Sequence, residues 1–363
     1  MGKVMVHPIQ KEVCRMVTKK YIAVALIATL VLVSQALGKT SKPVHLRLNW
    51  KRGETYKYKC VLNGKVSAAG ESATMQVTFD VALRVLRSPR TGEANSTVKG
   101  HRNIADNSQS FALGGRLLEV EVRHGDVNMI LHVPGQKIDV TIGKEKVHAS
   151  VNGNSVPSSK LDEFREEVKP LQEILKAPIR LLLTDSGRVM RVSGLEELDP
   201  AMQKELAMGF LEGMLLPEKP MKLGDKFVDK RSLDSLFPKQ PAQSSGPLAG
   251  RTIEIVRTLR VIRRGKNGRV VAEFSAPLKE KFEDVRLDAD GTQGSAEADM
   301  IYTTIVDAKD GTIVQETAKG RVLLRPKGGR MPGLIRVEIN ARIELIEPEK
   351  LRLTAYGLGG TER

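Results

Sequence analysis

Apolar and polar residues alternate with a period of two over much of the chain. Val77, Phe79, Val81, Leu83 and Val85 are apolar, with Thr78, Asp80 and Arg84 between them. Ile335, Val337, Ile339, Ala341, Ile343 and Leu345 alternate with Arg336, Glu338, Asn340, Arg342 and Glu344. This spacing sets one face of a strand on apolar surroundings and the other on water, as in antiparallel sheets. Ile253, Ile255, Leu259 and Val261 predict a further strand. It turns near Asn267-Gly268, a pair suited to a tight hairpin, and returns through Val270, Ala272 and Phe274. Met300 to Val306 and Thr312 to Thr317 flank Lys309-Asp310-Gly311 as another hairpin.

Two segments change to helical spacing. Ser158 or Ser159 can cap a helix bearing Leu161, Phe164, Val168, Leu171 and Leu175, which Pro170 would kink or split. A second starts at Asp199-Pro200, a favourable N-cap and first position, and ends at Pro217. Met202, Leu206, Phe210 and Met214 line one of its faces. Such stripes pack helices onto a sheet. The sharper reading is that Phe164, Val168, Met202, Leu206, Phe210 and Met214 line an apolar ligand pocket between helices and sheet.

An internal repeat lies beneath this pattern. Leu83-Arg84-Val85-Leu86-Arg87 aligns without gaps on Leu259-Arg260-Val261-Ile262-Arg263, each followed five residues on by glycine. Upstream, Gly53-Glu54-Thr55-Tyr56 matches Gly224-Asp225-Lys226-Phe227 in the same order. The two matches read as a diverged duplication of one β-unit, a Gly–acid turn into a strand and then a basic-tipped hairpin.

Composition narrows the class. Of 363 residues, 58 are Lys or Arg and 43 Asp or Glu, a net charge of +15, with 40% hydrophobic and 4% aromatic residues. Mixed charge with that much apolar content excludes a disordered polyelectrolyte. Two cysteines exclude a disulfide-rich scaffold and a four-thiolate zinc site.

The N-terminus reads as a targeting segment. Lys3, Lys11, Arg15, Lys19 and Lys20 precede an uncharged stretch from Tyr21 to Gly38, closed by small residues at Ala36 and Gly38. Two readings stand: a cleaved signal peptide over residues 1–38, or an uncleaved anchor over residues 21–38. Both make the protein exported, periplasmic or extracellular. Cleavage would leave a net charge of +11 and Cys60 as the lone cysteine. Cys60 sits in a strand-like run and reads as a small apolar residue, half buried.

A search for catalytic chemistry nominates nothing. H-E-x-x-H, G-x-S-x-G, a Walker loop and a dinucleotide-binding glycine pattern are all missing from the sequence. His124, Asp126 and His132 could supply three metal ligands if they bracket a hairpin; solvated strand or turn positions are the plainer reading. Asp162, Glu163, Glu166 and Glu167 form like-charge pairs that suit a solvated helix face. Asn95-Ser96-Thr97 fits a glycosylation sequon. No cofactor is implied. Basic residues gather on the repeated hairpins, where Arg84, Arg87, Arg260, Arg263 and Arg264 would make one anionic-partner patch if both hairpins project to the same side. Scarce aromatics and the lack of a docking motif argue against specific nucleic-acid binding.

Residues 216–227 resemble a family signature. Pro217, Lys219, Pro220, Gly224, Asp225 and Phe227 fit P-x-K-P-V-x-x-G-D-x-[W/F], which marks a family of bacterial exported proteins of unknown function; Met221 stands where that family prefers valine. The strand Leu46 to Tyr58 resembles its first strand. The resemblance spans most of residues 44–346, implies export, and brings no catalytic residues. In element order the chain also looks like bacterial lipoprotein-carrier and related lipid-binding periplasmic proteins, in which a curved antiparallel sheet closes over helices around an apolar cavity.

The expectation is therefore an α+β fold: a large curved antiparallel sheet from two related halves, with two helices on its concave face. The first β-unit and helices fall at 39–216, the second unit at 217–346, and a loose tail at 347–363. The expected function is non-enzymatic binding of an apolar or lipid-like ligand in the cell envelope. The rival readings are an interaction module using the basic hairpins on an acidic envelope partner or polyanion, and an enzyme with an unrecognised site.

Overall fold

A computed structural model describes residues 43–88, 117–157, 159, 161–196, 216–232, 252–264, 269–286, 293–327 and 333–349. The leader, the predicted helix from Asp199 with Met202, Leu206, Phe210 and Met214, the Asn95 sequon, the Asn267-Gly268 turn and the chain after Glu349 lie outside them, while residues 347–349 of the expected loose tail are the end of a strand.

The period-two segments all become strands. The first nine are β1 (Thr55–Ala68), β2 (Glu71–Arg87), β3 (Leu117–His124), β4 (Val127–Val133), β5 (Gln136–Ile142), β6 (Val147–Val151), β7 (Asn154–Ser155), β8 (Ile179–Thr184) and β9 (Val189–Ser193). The rest are β10 (Lys226–Ser232), β11 (Thr252–Arg264), β12 (Val270–Arg286), β13 (Gln293–Asp307), β14 (Ile313–Pro326) and β15 (Ile335–Glu349). They form one antiparallel sheet in the order β10-β11-β12-β13-β14-β15-β1-β2-β4-β5-β6-β7, so strands from both predicted units share it.

The sheet forks beside β2. Val81 to Arg87 pair with β3, and Thr74 to Thr78 pair with β4. β3 and β4 thus follow one line along β2, broken at Gly125-Asp126, where the Gly125 N–H donates to the Asp80 carbonyl at 2.8 Å. Past the break β3 leads to β8 and β9, while β4 leads to β5, β6 and β7.

The fold class is corrected by this count. Strands make up 68% of the structure, and the sheet does not close on itself, so the protein is mainly β rather than α+β. The described α-helix, α1 (Asp162–Lys176), runs without a break through position 170 and starts at Leu161 with no side-chain cap from a serine. Tertiary contact holds it instead. Val168, Leu171, Ile174 and Leu175 are buried, and Gln172 donates to the Gly143 carbonyl at 2.9 Å. The helix carries the chain from the β7 branch to β8, packing on β3. Its acids do not face one another unrelieved: Asp162, Glu166 and Glu173 each meet a base three residues on.

One face of the sheet is the core. Register rows carry the apolar phase from strand to strand, for instance Ile343, Cys60 and Phe79 across β15, β1 and β2. Cys60 is fully buried there, deeper than its strand pattern alone implied, and takes part in no disulfide. Residues 43–50 run past the hairpin ends and bury Leu46, Leu48 and Trp50. Leu48 donates to Asp185, Asn49 to Asp310, and Val44 exchanges two hydrogen bonds with Met221. Arg47 donates to the Pro217 and Glu218 carbonyls, which ties the signature segment to the chain that precedes β1.

The two Gly–acid turns are built alike. Gly53 (φ +86°) and Gly224 (φ +87°) occupy the left-handed region that favours glycine. Gly53 donates to Val85 and receives Val85 at Glu54; Gly224 donates to Leu259 and receives Leu259 at Asp225. Glu54 and Asp225 also accept from the backbone N–H three residues back. These bonds pair Val85 with Leu259, not Leu83 with Leu259 as the ungapped alignment does. A slip of two residues keeps every side chain on its face, so periodicity alone cannot detect it.

Candidate functional site

A concavity of about 810 Å³ lies on the polar face. It crosses seven strands: β13, β14, β15, β1, β2, β4 and β5. The pairing registers arrange its lining in two rows. One runs Ile301, Lys319, Asn340, Asn63, Gln76 and Ile130; the other runs Asp299, Arg321, Glu338, Lys65, Thr74, His132 and Lys137. Strand spacing of about 4.8 Å makes six such steps roughly 29 Å from end to end.

Two mid-strand glycines shape it. Gly320 and Gly64 flank Ile339 in register, and all three line the trough with Met75. A Cβ on Gly320 would overlap the Asp299 backbone oxygen, so β14 approaches β13 more closely than any side chain allows. By alternation Met75 and Ile339 belong to the core side of the sheet, and on the polar face the aliphatic side chains are Ile301 and Ile130, at the two ends of the first row. Ile301 is 53% exposed there, among mostly polar neighbours.

Charge on the rim is partly spent within the protein. Arg321 meets Asp299 at 3.6 Å, Arg336 meets Glu338 at 2.7 Å, and Lys137 meets Asp139 at 2.9 Å. Lys65 and Lys319 line the trough with no ion-pair partner among the described residues. Gln76 donates to Asn63 Oδ1 at 3.0 Å, which leaves the Asn63 amide N–H groups turned to other acceptors. This surface can bind an elongated ligand with apolar and anionic parts.

The sequence-derived candidates among the described residues fall elsewhere. Val168 is buried and Phe164 partly buried in the core, and neither lines the trough. Arg84, Arg87, Arg260, Arg263 and Arg264 are exposed, on β2 and β11, which stand six steps apart in the sheet. Arg84 lies opposite Glu121 and Arg87 opposite Glu119, while Arg263 meets Glu273 at 3.5 Å. Arg257, within the same basic run, is buried in a 2.6 Å ion pair with Asp229 beneath Phe227.

The His124–Asp126–His132 metal reading does not survive the fold. His124 and His132 follow one line along β2 rather than bracketing a hairpin, which sets them roughly 23 Å apart. His124 is buried with Nδ1 unpartnered, and burial lowers its pKa to about 4. Among the described residues no group of three His, Cys, Asp or Glu side chains could hold a metal ion. No described helix is long and apolar enough to cross a membrane.

The trough residues Lys65, Lys319, Asn63, Asn340 and Ile301 were not singled out from sequence. Two signals were there to read: Gly64 and Gly320 inside strands, and Met300-Ile301-Tyr302, where apolar residues occupy both faces.

No family model matches the sequence, and no curated protein matches it. Among solved structures, the chain is similar to lipovitellin in a structure concerned with its lipid–protein interactions. Identity is 9%, coverage 83% of this chain and 26% of that chain, and the TM-score 0.41. The chain thus spans about a quarter of the length of lipovitellin. It is also similar to DynF from the dynemicin biosynthesis pathway of Micromonospora chersina, at 9% identity, with coverage of 86% and 88% and a TM-score of 0.20.

Proposed function

We propose that this chain is a non-enzymatic binding protein, exported to the cell envelope, that holds an apolar or lipid-like ligand on its sheet. The trough carries this reading: a concavity that crosses seven strands, with Ile301 exposed at mid-strand on the polar face and Ile130 at the other end of the same row. A large aliphatic side chain held in water there gains free energy when a ligand covers it, at about 25 cal/mol per Å². Of the helix–sheet pocket expected from sequence, Phe164 and Val168 pack in the core, while Met202, Leu206, Phe210 and Met214 lie outside the described residues. Export rests on the basic, then apolar, then small-residue order of residues 1–38. The like turns at Gly53 and Gly224 support a common origin of the two β-units.

Native mass spectrometry of detergent-free protein, with solvent extraction of the same sample, tests the reading. A co-purifying lipid, lost in Ile301→Asp, is the expected result. Protein that carries no lipid and takes up no fluorescent fatty acid overturns it.

A further inference from the structure

We infer that the ligand of the trough is an anionic phospholipid, its phosphate received by Lys65 and Lys319 across the Asn340–Asn63 pair. The inference rests on the lipid-binding reading above and narrows it to a headgroup class. Its ground is the distribution of paired and unpaired charge. Five Lys and Arg side chains line the trough, and three of them have a carboxylate within 3.6 Å. The two left over are not scattered. Lys319 on β14 stands opposite Asn340 on β15, which stands opposite Asn63 on β1, and Lys65 follows Asn63 on the same face.

The strand grid sets the Lys65 and Lys319 Cα atoms about 12 Å apart. Two lysine side chains span that gap and meet over the two asparagines. There an anion would accept from two ammonium groups and from amide N–H donors. Asn63 Oδ1 is already held by Gln76, which orients the Asn63 NH₂ as a donor. Both trough carboxylates, Asp299 and Glu338, are tied to arginines, so neither repels an anion unscreened. Ile301 lies beside Lys319 and Ile130 beside Gln76, so apolar surface continues on both sides of the cationic centre. Two unpaired cations match the charge of about −1.5 to −2 on a phosphomonoester.

Co-sedimentation of the full chain with phosphatidylcholine vesicles, with and without phosphatidic acid, tests this. Each juxtaposed lysine strengthens anionic-surface binding enough that the pair should give a roughly 30-fold gain in affinity. Lys65→Gln with Lys319→Gln should abolish the gain, while Arg260→Gln with Arg264→Gln should keep it. Emission from Trp50 reports whether each variant is folded. Equal binding to both vesicle types, or a gain kept in the Lys65/Lys319 variant, overturns the headgroup assignment and leaves the lipid reading standing. Saturable binding of inorganic phosphate that depends on both lysines, without vesicle binding, makes the site one for a free anion. Binding to neither vesicle overturns both readings, and salt-sensitive retention on heparin would then identify a polyanion surface.

Discussion

Lowering the pH asks His124 to accept a proton where water cannot reach it. The imidazole ends β3 at the fork of the sheet, 4% exposed, with no partner for Nδ1. Burial, and secondarily the charge of Lys144, lower its pKa from 6.5 to about 4. Between those values the unfolded chain binds more protons than the folded one, so stability falls as pH falls. The contribution is intact above pH 6.5, declines towards pH 4, and changes no further below that. A pKa lowered from 6.5 to about 4 corresponds to ~3 kcal/mol in full, most of it lost by pH 4.5. Glu273 and Asp307, whose carboxyl pKa values are raised by burial, contribute the opposite slope in the range above their ordinary values. The measurement is therefore a difference. Urea unfolding of the native protein and of His124→Phe at pH 7 and 4.5 should show the native protein losing ~2–3 kcal/mol more than the variant. Equal losses in both proteins, or a His124 titration midpoint near 6.5, would refute the argument.

Three further outcomes follow from the packing. Asp229→Ala should cost ~3–5 kcal/mol by stranding Arg257 in the core, while Asp229→Leu with Arg257→Met recovers most of it; equal loss in both proteins contradicts this. Gly320→Ala should destabilise by ~3 kcal/mol through overlap with the Asp299 backbone oxygen. Gly53→Ala has no contact within 4 Å and should cost only the ~1–2 kcal/mol of a left-handed conformation. Matching urea midpoints for those two variants would show that the crease is not tight. Thr312→Val leaves the Trp50 Nε1–H, now bonded at 2.9 Å, buried and unpaired; a loss of ~1–3 kcal/mol, read by emission of the single tryptophan, is expected.

Much of the fold was legible in the chain, and the reasons are local. Val77 to Val85 and Ile335 to Leu345 state their faces by alternation, and both runs are strands with those faces buried. Gly53-Glu54 and Gly224-Asp225 announced two equivalent turns because a positive φ next to a backbone-binding carboxylate needs those residue types. Alternation could not say which of two registers aligned the repeats, since Leu83 and Val85 share a face. Nor could it distinguish a hairpin at Gly125 from a break in one long line, because that depends on β2 serving as partner to both β3 and β4.

The sequence by itself determined that this protein is built of amphipathic antiparallel strands, because side-chain direction reverses at every residue and burial follows it. Tertiary structure alone decided where a ligand could lie. Lys65, Asn63, Asn340, Lys319 and Ile301 are separated by up to 277 positions along the chain and become neighbours only through strand pairing. Each is an ordinary polar-face residue, or a single aliphatic one, in its own strand. Only their juxtaposition across a glycine crease makes a cationic trough with aliphatic residues at its ends, and no period within one strand encodes a contact between strands.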